Sequence, residues 1–167
     1  TTHDRVNSNA ANNPLPFLAA VSHSPQSPHS WDTVTVRVRV SDADGVAAVR
    51  LWLQGVLPGS YIRLTDSSYK SNWDAIPMQA AGGDVYVAQV PASFQRHREL
   101  VRYRIEAIDG GGRSVVAPYA DDPQPNFAYF IYDGIPTWRG AIVANSGGDL
   151  GRVRDFDFNQ MRSLPAY

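Results

Sequence analysis

The chain has 167 residues, of which 43% are hydrophobic and 19% are charged, a size and composition suited to one folded domain with a flank. The formal net charge is −1, which lacks the basic excess of a nucleic-acid binder, and no apolar run is long enough for membrane insertion. The absence of cysteine excludes disulfides, Cys-ligated zinc and thiol nucleophiles. Residues 1–13 are polar and are interpreted as an N-terminal linker.

Strand patterns begin directly after this linker. Residues 15–21 form a first candidate strand, which two prolines restrict to a sheet edge. In residues 33–41, valines alternate with threonine and arginine, so the valines are predicted to face a core and the arginines to face solvent. An Asp-Ala-Asp-Gly turn then leads into a second clear strand at residues 46–54, where Trp52 lies on the face opposite the leucines.

Later segments repeat this organisation. Residues 55–83 are irregular and predict short strands and loops, and the remaining candidate strands are residues 85–90, 100–109, 113–117 and 127–132. Roughly seven or eight short strands joined by turns predict an all-β fold, an immunoglobulin-like or fibronectin type III-like β-sandwich of two antiparallel sheets. The sandwich is expected to span residues 14–138.

Residues 139–167 differ in character from the sandwich and are interpreted as a C-terminal extension or a junction to a following domain. Because an exposed apolar tail would normally be disordered, Phe156 and Phe158 in this segment are predicted to pack on the sandwich or on a second copy of the chain.

No residue of the chain stands in a catalytic pattern. The histidines occur singly, no nucleophile elbow is present, and the acidic residues cluster in turn sequences rather than in a candidate cleft. The sequence therefore predicts that the protein is not an enzyme and that it has no catalytic residues.

Three carboxylates mark a candidate metal site. Asp42, Asp44 and Asp109 follow strands whose ends lie together in an immunoglobulin-like topology, and Ca²⁺ prefers such oxygen ligands. The alternative is that these residues only form turns, because Asp commonly accepts hydrogen bonds from the backbone nearby. The turn interpretation is favoured, and calcium is the one cofactor that the sequence suggests.

Four aromatic residues mark a candidate carbohydrate site: Trp52, Tyr61, Tyr69 and Trp73. Exposed aromatic faces can stack on sugar rings, although large aromatic side chains are more often packed than displayed. The arginines on the outward strand faces are interpreted as a solvated surface paired with acidic residues.

Three stretches carry a family resemblance: residues 38–46 (VRVSDADGV), 103–110 (YRIEAIDG) and 126–138 (NFAYFIYDGIPTW). Together they resemble the immunoglobulin/fibronectin type III-like module of large secreted bacterial proteins that precedes a CotH-type kinase-like domain, and residues 164–167 resemble the start of such a domain. The resemblance implies a secreted or cell-surface location and an adjacent domain of the same polypeptide as partner. None of the kinase-like domain's motifs lies in these residues.

The sequence and the resemblance together predict a non-catalytic extracellular β-sandwich module that spaces, presents or docks a neighbouring domain. A carbohydrate-binding module that uses the exposed aromatics is the first alternative. An enzyme fragment whose catalytic domain lies elsewhere is the second.

Overall fold

The computed structural model describes residues 14–134 and, for the backbone alone, residues 142–146 and 149–153. In chain order the elements of the first part are β1 (Phe17–Ser24), β2 (Val34–Ser41), β3 (Val46–Val56), α1 (Ser67–Ser71), β4 (Asp74–Pro77), β5 (Gln79–Ala80), β6 (Val85–Val90), a 3₁₀ turn (Ala92–Phe94), β7 (Leu100–Asp109), β8 (Ser114–Ala117) and β9 (Phe127–Phe130). The predicted linker, residues 1–13, lies outside the described residues.

Two antiparallel sheets make up the fold. The first sheet has the strand order β1-β2-β6-β5, and the second has the order β4-β3-β7-β8, with β9 also pairing with β7. This architecture confirms the predicted immunoglobulin-like β-sandwich.

The core lies between the two sheets and follows the predicted alternation. All four valines of β2 are buried, and the intervening Arg37 and Arg39 are exposed. The inward residues of β3 and β7 form the opposing side of the core, namely Val49, Leu51, Leu53, Val101, Tyr103, Ile105 and Ala107. Burial of these apolar side chains is the main favourable contribution to folding, at about 25 cal/mol for each Å² removed from water.

The last strand of the second sheet is interrupted. β8 pairs with β7 from Ile105 to Ile108, and β9 pairs with the same edge of β7 from Leu100 to Tyr103. Residues 118–126 therefore leave the sheet edge and return to it beside Arg104, the β7 residue between the two pairings. This excursion places the loop next to the outer face of the second sheet.

The chain enters the sandwich at one end of the strands and leaves it at the other. Phe17 pairs with Ser41 next to the turn into β3, which defines the proximal end. Phe130 pairs with Leu100, and Leu100 also pairs with Val56 at the far end of β3, which defines the distal end.

The chain divides into two compact units, one ending at Tyr132 and the other beginning at Asp133. The second contains an antiparallel hairpin of β10 (Ile142–Ser146) and β11 (Asp149–Val153), where the sequence predicted only an extension or junction. Phe156 and Phe158, which were predicted to dock, lie outside the described residues. No helix in the described part of the chain is long and apolar enough to cross a membrane.

Candidate functional site

The acidic turns lie side by side at the proximal end. The backbone N–H of Gly110 donates to the carbonyl of Gly45 at 3.2 Å, which joins the turn after β7 to the turn after β2. Asp42 Oδ1 accepts a hydrogen bond from the Asp44 N–H at 2.8 Å, and Asp109 Oδ1 accepts one from the Arg113 N–H at 2.8 Å. Two of the three predicted calcium ligands thus accept hydrogen bonds within their own turns.

The described residues contain no group of three or more His, Asp or Glu side chains arranged to hold a metal ion. Asp44 is exposed, whereas Asp109 is buried. Asp42 Oδ2 is buried without a hydrogen-bond partner in the described part of the chain. The turn geometry accounts for the sequence pattern, and calcium at this end stays a prediction.

A groove on the outer face of the second sheet brings two predicted carbohydrate-binding residues together. Its volume is about 300 Å³, and it is lined by Trp52, Lys70, Ser71, Trp73, Arg104, Glu106 and Val116. We call it the two-tryptophan groove. Trp52 lies opposite Arg104 on β7 and opposite the small Ala75 on β4, so the strand register itself leaves space beside the indole.

Glu106 organises one side of this groove. Its Oε2 accepts a hydrogen bond from Trp52 Nε1 at 3.1 Å and forms a salt bridge with Arg50 Nη1 at 3.4 Å. Glu106 thus has Arg50 as its ion-pair partner, and the bond to the indole nitrogen fixes the orientation of Trp52.

Alternating aromatic rings and guanidinium groups continue from the groove across the outer face. The Arg104 guanidinium carbon lies 4.2 Å from the Trp73 ring centroid and 4.9 Å from that of Tyr69. The Arg102 carbon lies 5.3 Å from the Tyr69 centroid and 5.7 Å from that of Tyr61. We call this set the arginine–aromatic stack, and its distances are those of cation–π contacts.

The short helix α1 covers part of the stack and is held by a buried glutamine. Gln54 Nε2 donates to the carbonyls of Ser68, Tyr69 and Asn72, and Gln54 Oε1 accepts from Arg102 Nη1 at 3.1 Å. Gln54 is 2% exposed and Arg102 is 5% exposed. The amide therefore links the end of α1 to the guanidinium of the sheet.

The loop between β8 and β9 is attached to the same surface. Arg104 Nε donates to the Pro125 carbonyl at 2.9 Å, and the Tyr69 hydroxyl donates to Asn126 Oδ1 at 2.9 Å. These bonds hold the loop beside the stack.

The structure separates the four predicted carbohydrate-binding residues. Trp52 and Trp73 are half-buried and share the groove, whereas Tyr61 is 71% exposed at the outer end of the stack. Tyr69 is 5% exposed beneath the two arginines, so it cannot offer a ring face to a sugar.

The arginines also depart from the prediction of a uniformly solvated surface. Arg37 and Arg39 on β2 are exposed as expected, but Arg102 is buried because α1 and the loop that carries Tyr61 cover it. Arg104 is half-buried against Tyr69 and Trp73. Both guanidinium groups pack against aromatic rings rather than extend into solvent.

A second cluster of titratable groups lies between the sheets. His23 Nδ1 is 3.0 Å from the Tyr103 hydroxyl, and burial lowers the pKa of His23 while it raises the pKa of Tyr103 to about 12. Burial also raises the pKa of Tyr129, whose ring lies 5.2 Å from that of His23, with smaller contributions from Glu99 and Tyr103. Burial therefore favours the neutral form of all three groups at neutral pH. A hydrogen bond joins His23 and Tyr103, whereas the buried Tyr129 hydroxyl has no partner among the described residues.

Comparison with known families agrees with this fold. Residues 18–95 match the family model of the bacterial Ig domain. The matched segment runs from β1 to the 3₁₀ turn, and the Ig-like module of the structure continues beyond it through β7, β8 and β9. No curated protein matches the chain. A bacterial Ig-like domain fits a non-catalytic module.

Sequence reasoning missed two residues of the outer face, Gln54 and Lys70. It expected Glu106 only as an ion-pair partner of the outward arginines, which the Arg50 salt bridge agrees with. The strand alternation placed Gln54 and Glu106 on the outward face. That pattern gave no sign that α1 would cover Gln54 or that the Trp52 indole would donate a hydrogen bond to Glu106. Lys70 lies on a five-residue helix that has no periodic signal in the sequence.

Proposed function

We propose that the Ig-like module is a non-catalytic spacer that presents a neighbouring domain of a larger secreted or cell-surface protein. The observation that carries this proposal is that Phe17, where the chain enters the sandwich, and Phe130, near where it leaves, lie at opposite ends of the strands. β7 alone has ten residues, which at ~3.3 Å per residue extends over about 30 Å. The module would therefore hold its two flanks about 30 Å apart.

The match to a bacterial Ig domain supports the proposed location. Bacterial Ig-like domains are typical of extracellular and surface proteins. The family resemblance of residues 126–138 and 164–167 adds a CotH-type kinase-like domain as the neighbour that the module would present.

The distal end offers a surface for docking such a neighbour. The Tyr132 ring stacks on His97 at 5.3 Å and on Phe130 at 6.4 Å between centroids. Phe130 is 49% exposed and Tyr132 is 42% exposed, and both lie where the chain leaves the sandwich. We call these three residues the distal aromatic patch. Its position at the chain exit supports a contact with an adjacent domain of the same polypeptide.

Small-angle X-ray scattering of the polypeptide that carries the module tests both parts of this proposal. Deleting residues 14–134 should shorten the maximum dimension by about 30 Å, and an unchanged dimension would refute spacing. Replacing Phe130 and Tyr132 together with serine should broaden the distribution of distances if the patch docks a neighbour. Phe17→Ser, an exposed aromatic at the proximal end, is the matched control, and identical profiles for both variants would refute docking.

Carbohydrate binding is a second candidate function, and the two-tryptophan groove is the observation that favours it. Trp52 and Trp73 are 21 positions apart in the sequence, yet the sheet and α1 bring them to one groove with hydrogen-bonding side chains beside them. Concave sites that combine apolar rings with a few polar groups are typical of small-ligand binding.

Affinity electrophoresis of the chain through gels containing polysaccharides tests this candidate. Retardation should be lost in Trp52→Ala, which removes one groove wall. It should persist in Trp31→Ala, because Trp31 is 64% exposed on the loop between β1 and β2 and does not line the groove. Equal loss in both variants, or no retardation by any polysaccharide, would contradict a sugar site at the groove.

A further inference from the structure

The two-tryptophan groove is lined by charged side chains as well as by its two indole rings. Lys70, Arg104 and Glu106 line it. Glu106 is paired with Arg50, which lies outside the groove lining. Within residues 14–134 neither Lys70 nor Arg104 forms a salt bridge, so the groove lining carries two cations without an ion-pair partner and one carboxylate that is paired elsewhere.

The acidic residue that follows Trp73 in the sequence does not supply a negative charge to the groove. Asp74 follows Trp73 directly, but it pairs in register with the inward-facing Leu53. The next residue, Ala75, pairs with Trp52 and shares the outward face of the groove. Successive residues of a strand point to opposite sides of the sheet, so Asp74 lies on the side away from the groove.

Arg104 is fixed by contacts within the chain whereas Lys70 is exposed, and this combination of one oriented and one adjustable cation suits the binding of an anionic ligand. The Arg104 guanidinium is fixed by the Trp73 ring at 4.2 Å and by the bond of its Nε to Pro125 at 2.9 Å. Those contacts leave its two terminal nitrogens without a hydrogen-bond partner in residues 14–134, and such a fork can bind a carboxylate through both oxygens. Lys70 is exposed on α1 and is free to adjust to a second charge.

We infer that the two-tryptophan groove binds an acidic saccharide, whose uronate carboxylate is held by Arg104 and Lys70 beside the indole rings. This inference rests on the second proposed function, carbohydrate binding at the same groove. A neutral saccharide would leave both cations without a counter-charge. An acidic one adds charge-assisted hydrogen bonds to the apolar contacts.

Isothermal titration of the whole chain with oligogalacturonate, and with its methyl ester, tests the inference. The ester is the same saccharide with its carboxylates blocked, so it should bind about tenfold more weakly or worse. Affinity for the acid should also fall with added salt, because exposed charges are screened.

Charge variants locate the effect. Lys70→Gln should weaken binding of the acid and leave binding of the ester unchanged, and Lys70→Arg should restore it. Arg37→Gln, which removes an exposed cation from the other sheet, should change neither. Equal binding of acid and ester would overturn the acidic preference while carbohydrate binding stood. If oligogalacturonate, its ester, alginate oligomers and neutral oligosaccharides all fail to bind, both the inference and the second proposed function are wrong.

Discussion

The strongest structural test of the outer face is the removal of the Gln54 amide. Gln54→Leu keeps a buried side chain of similar volume but removes the acceptor for Arg102 Nη1 and the donors to three carbonyls of the α1 region. If the amide joins α1 to the sheet as described, this substitution should lower the free energy of unfolding far more than a surface change does.

The magnitude follows from which groups lose a partner. The bond from the charged Arg102 is worth about 1.5–3 kcal/mol. The carbonyls of Ser68 and Tyr69 keep other donors, the Asn72 N–H and Trp73 Nε1, whereas Asn72 keeps none among the described residues. Losing that neutral bond adds about 1 kcal/mol. We expect a total loss of about 3 kcal/mol.

Urea denaturation followed by tryptophan fluorescence measures this loss as a shift of the midpoint at constant m value. Gln89→Leu is the matched control, because Gln89 is exposed on β6 and its replacement should change stability by no more than about 0.5 kcal/mol. A double-mutant cycle with Arg102→Met should give a coupling energy of at least ~0.5 kcal/mol. If Gln54→Leu lowers the free energy of unfolding as little as Gln89→Leu does, the Gln54 amide does not hold the arginine–aromatic stack.

Three further results are expected. Ile105→Ala should cost about 2–5 kcal/mol in a urea titration, because the side chain is fully buried between the sheets, whereas Arg37→Ala should stay within about 0.5 kcal/mol; the reverse order would mean that the strand faces are inverted. Burial raises the pKa of Glu99 above its ordinary value of 4.5, against a smaller lowering by Arg96, so the folded state keeps this proton more tightly than the unfolded chain. The stabilising contribution of protonated Glu99 is complete below that ordinary pKa and is lost as the pH rises through the folded pKa. The Glu99→Gln variant should therefore gain stability relative to the native chain between acidic and neutral pH. A stability difference between the two proteins that does not vary with pH would contradict this. Thermal melting should be the same in calcium and in chelator, since Asp42 and Asp109 already accept backbone hydrogen bonds; a calcium-dependent rise that chelator reverses would support the predicted metal site.

The sequence predicted the long strands well because apolar and polar side chains alternate along most of their length. Val34 to Val40 in β2 and Leu100 to Asp109 in β7 each have one face in the core, and a register error of one residue would expose that whole face. The constraint is local, so it is visible in the sequence, and the predicted bounds of β6 and β7 agree with the structure.

The helix α1 could not be predicted in the same way. Five residues make little more than one turn, and the cost of nucleating a helix makes such a segment unstable by itself. Its sequence, Ser-Ser-Tyr-Lys-Ser, has no apolar periodicity, and its support comes from Gln54, which is 14 residues away from Ser68. Only the tertiary structure supplies the information that fixes this element.

The interruption between β8 and β9 is a second feature that the sequence left open. The predicted strands at residues 113–117 and 127–132 are both present, but nothing in their pattern shows that they share one edge of β7. Because they do, the loop between them returns beside Arg104, and the Pro125 carbonyl becomes a hydrogen-bond acceptor for that guanidinium.

The net charge of −1 conceals how the charges are distributed in space. Asp42, Asp84 and Asp109 lie in or beside turns at the proximal end of the sandwich, because Asp favours turns and the turns lie where strands end. Lys70 and Arg104 lie instead on the outer face of the second sheet. Charges more than about 10 Å apart are largely screened at ordinary ionic strength, so acidic residues in distant turns do little to offset the cations of the groove. An anionic ligand responds to this local excess rather than to the sum over the chain, and the strand register creates the excess by directing Asp74 away from the groove and Arg104 into it.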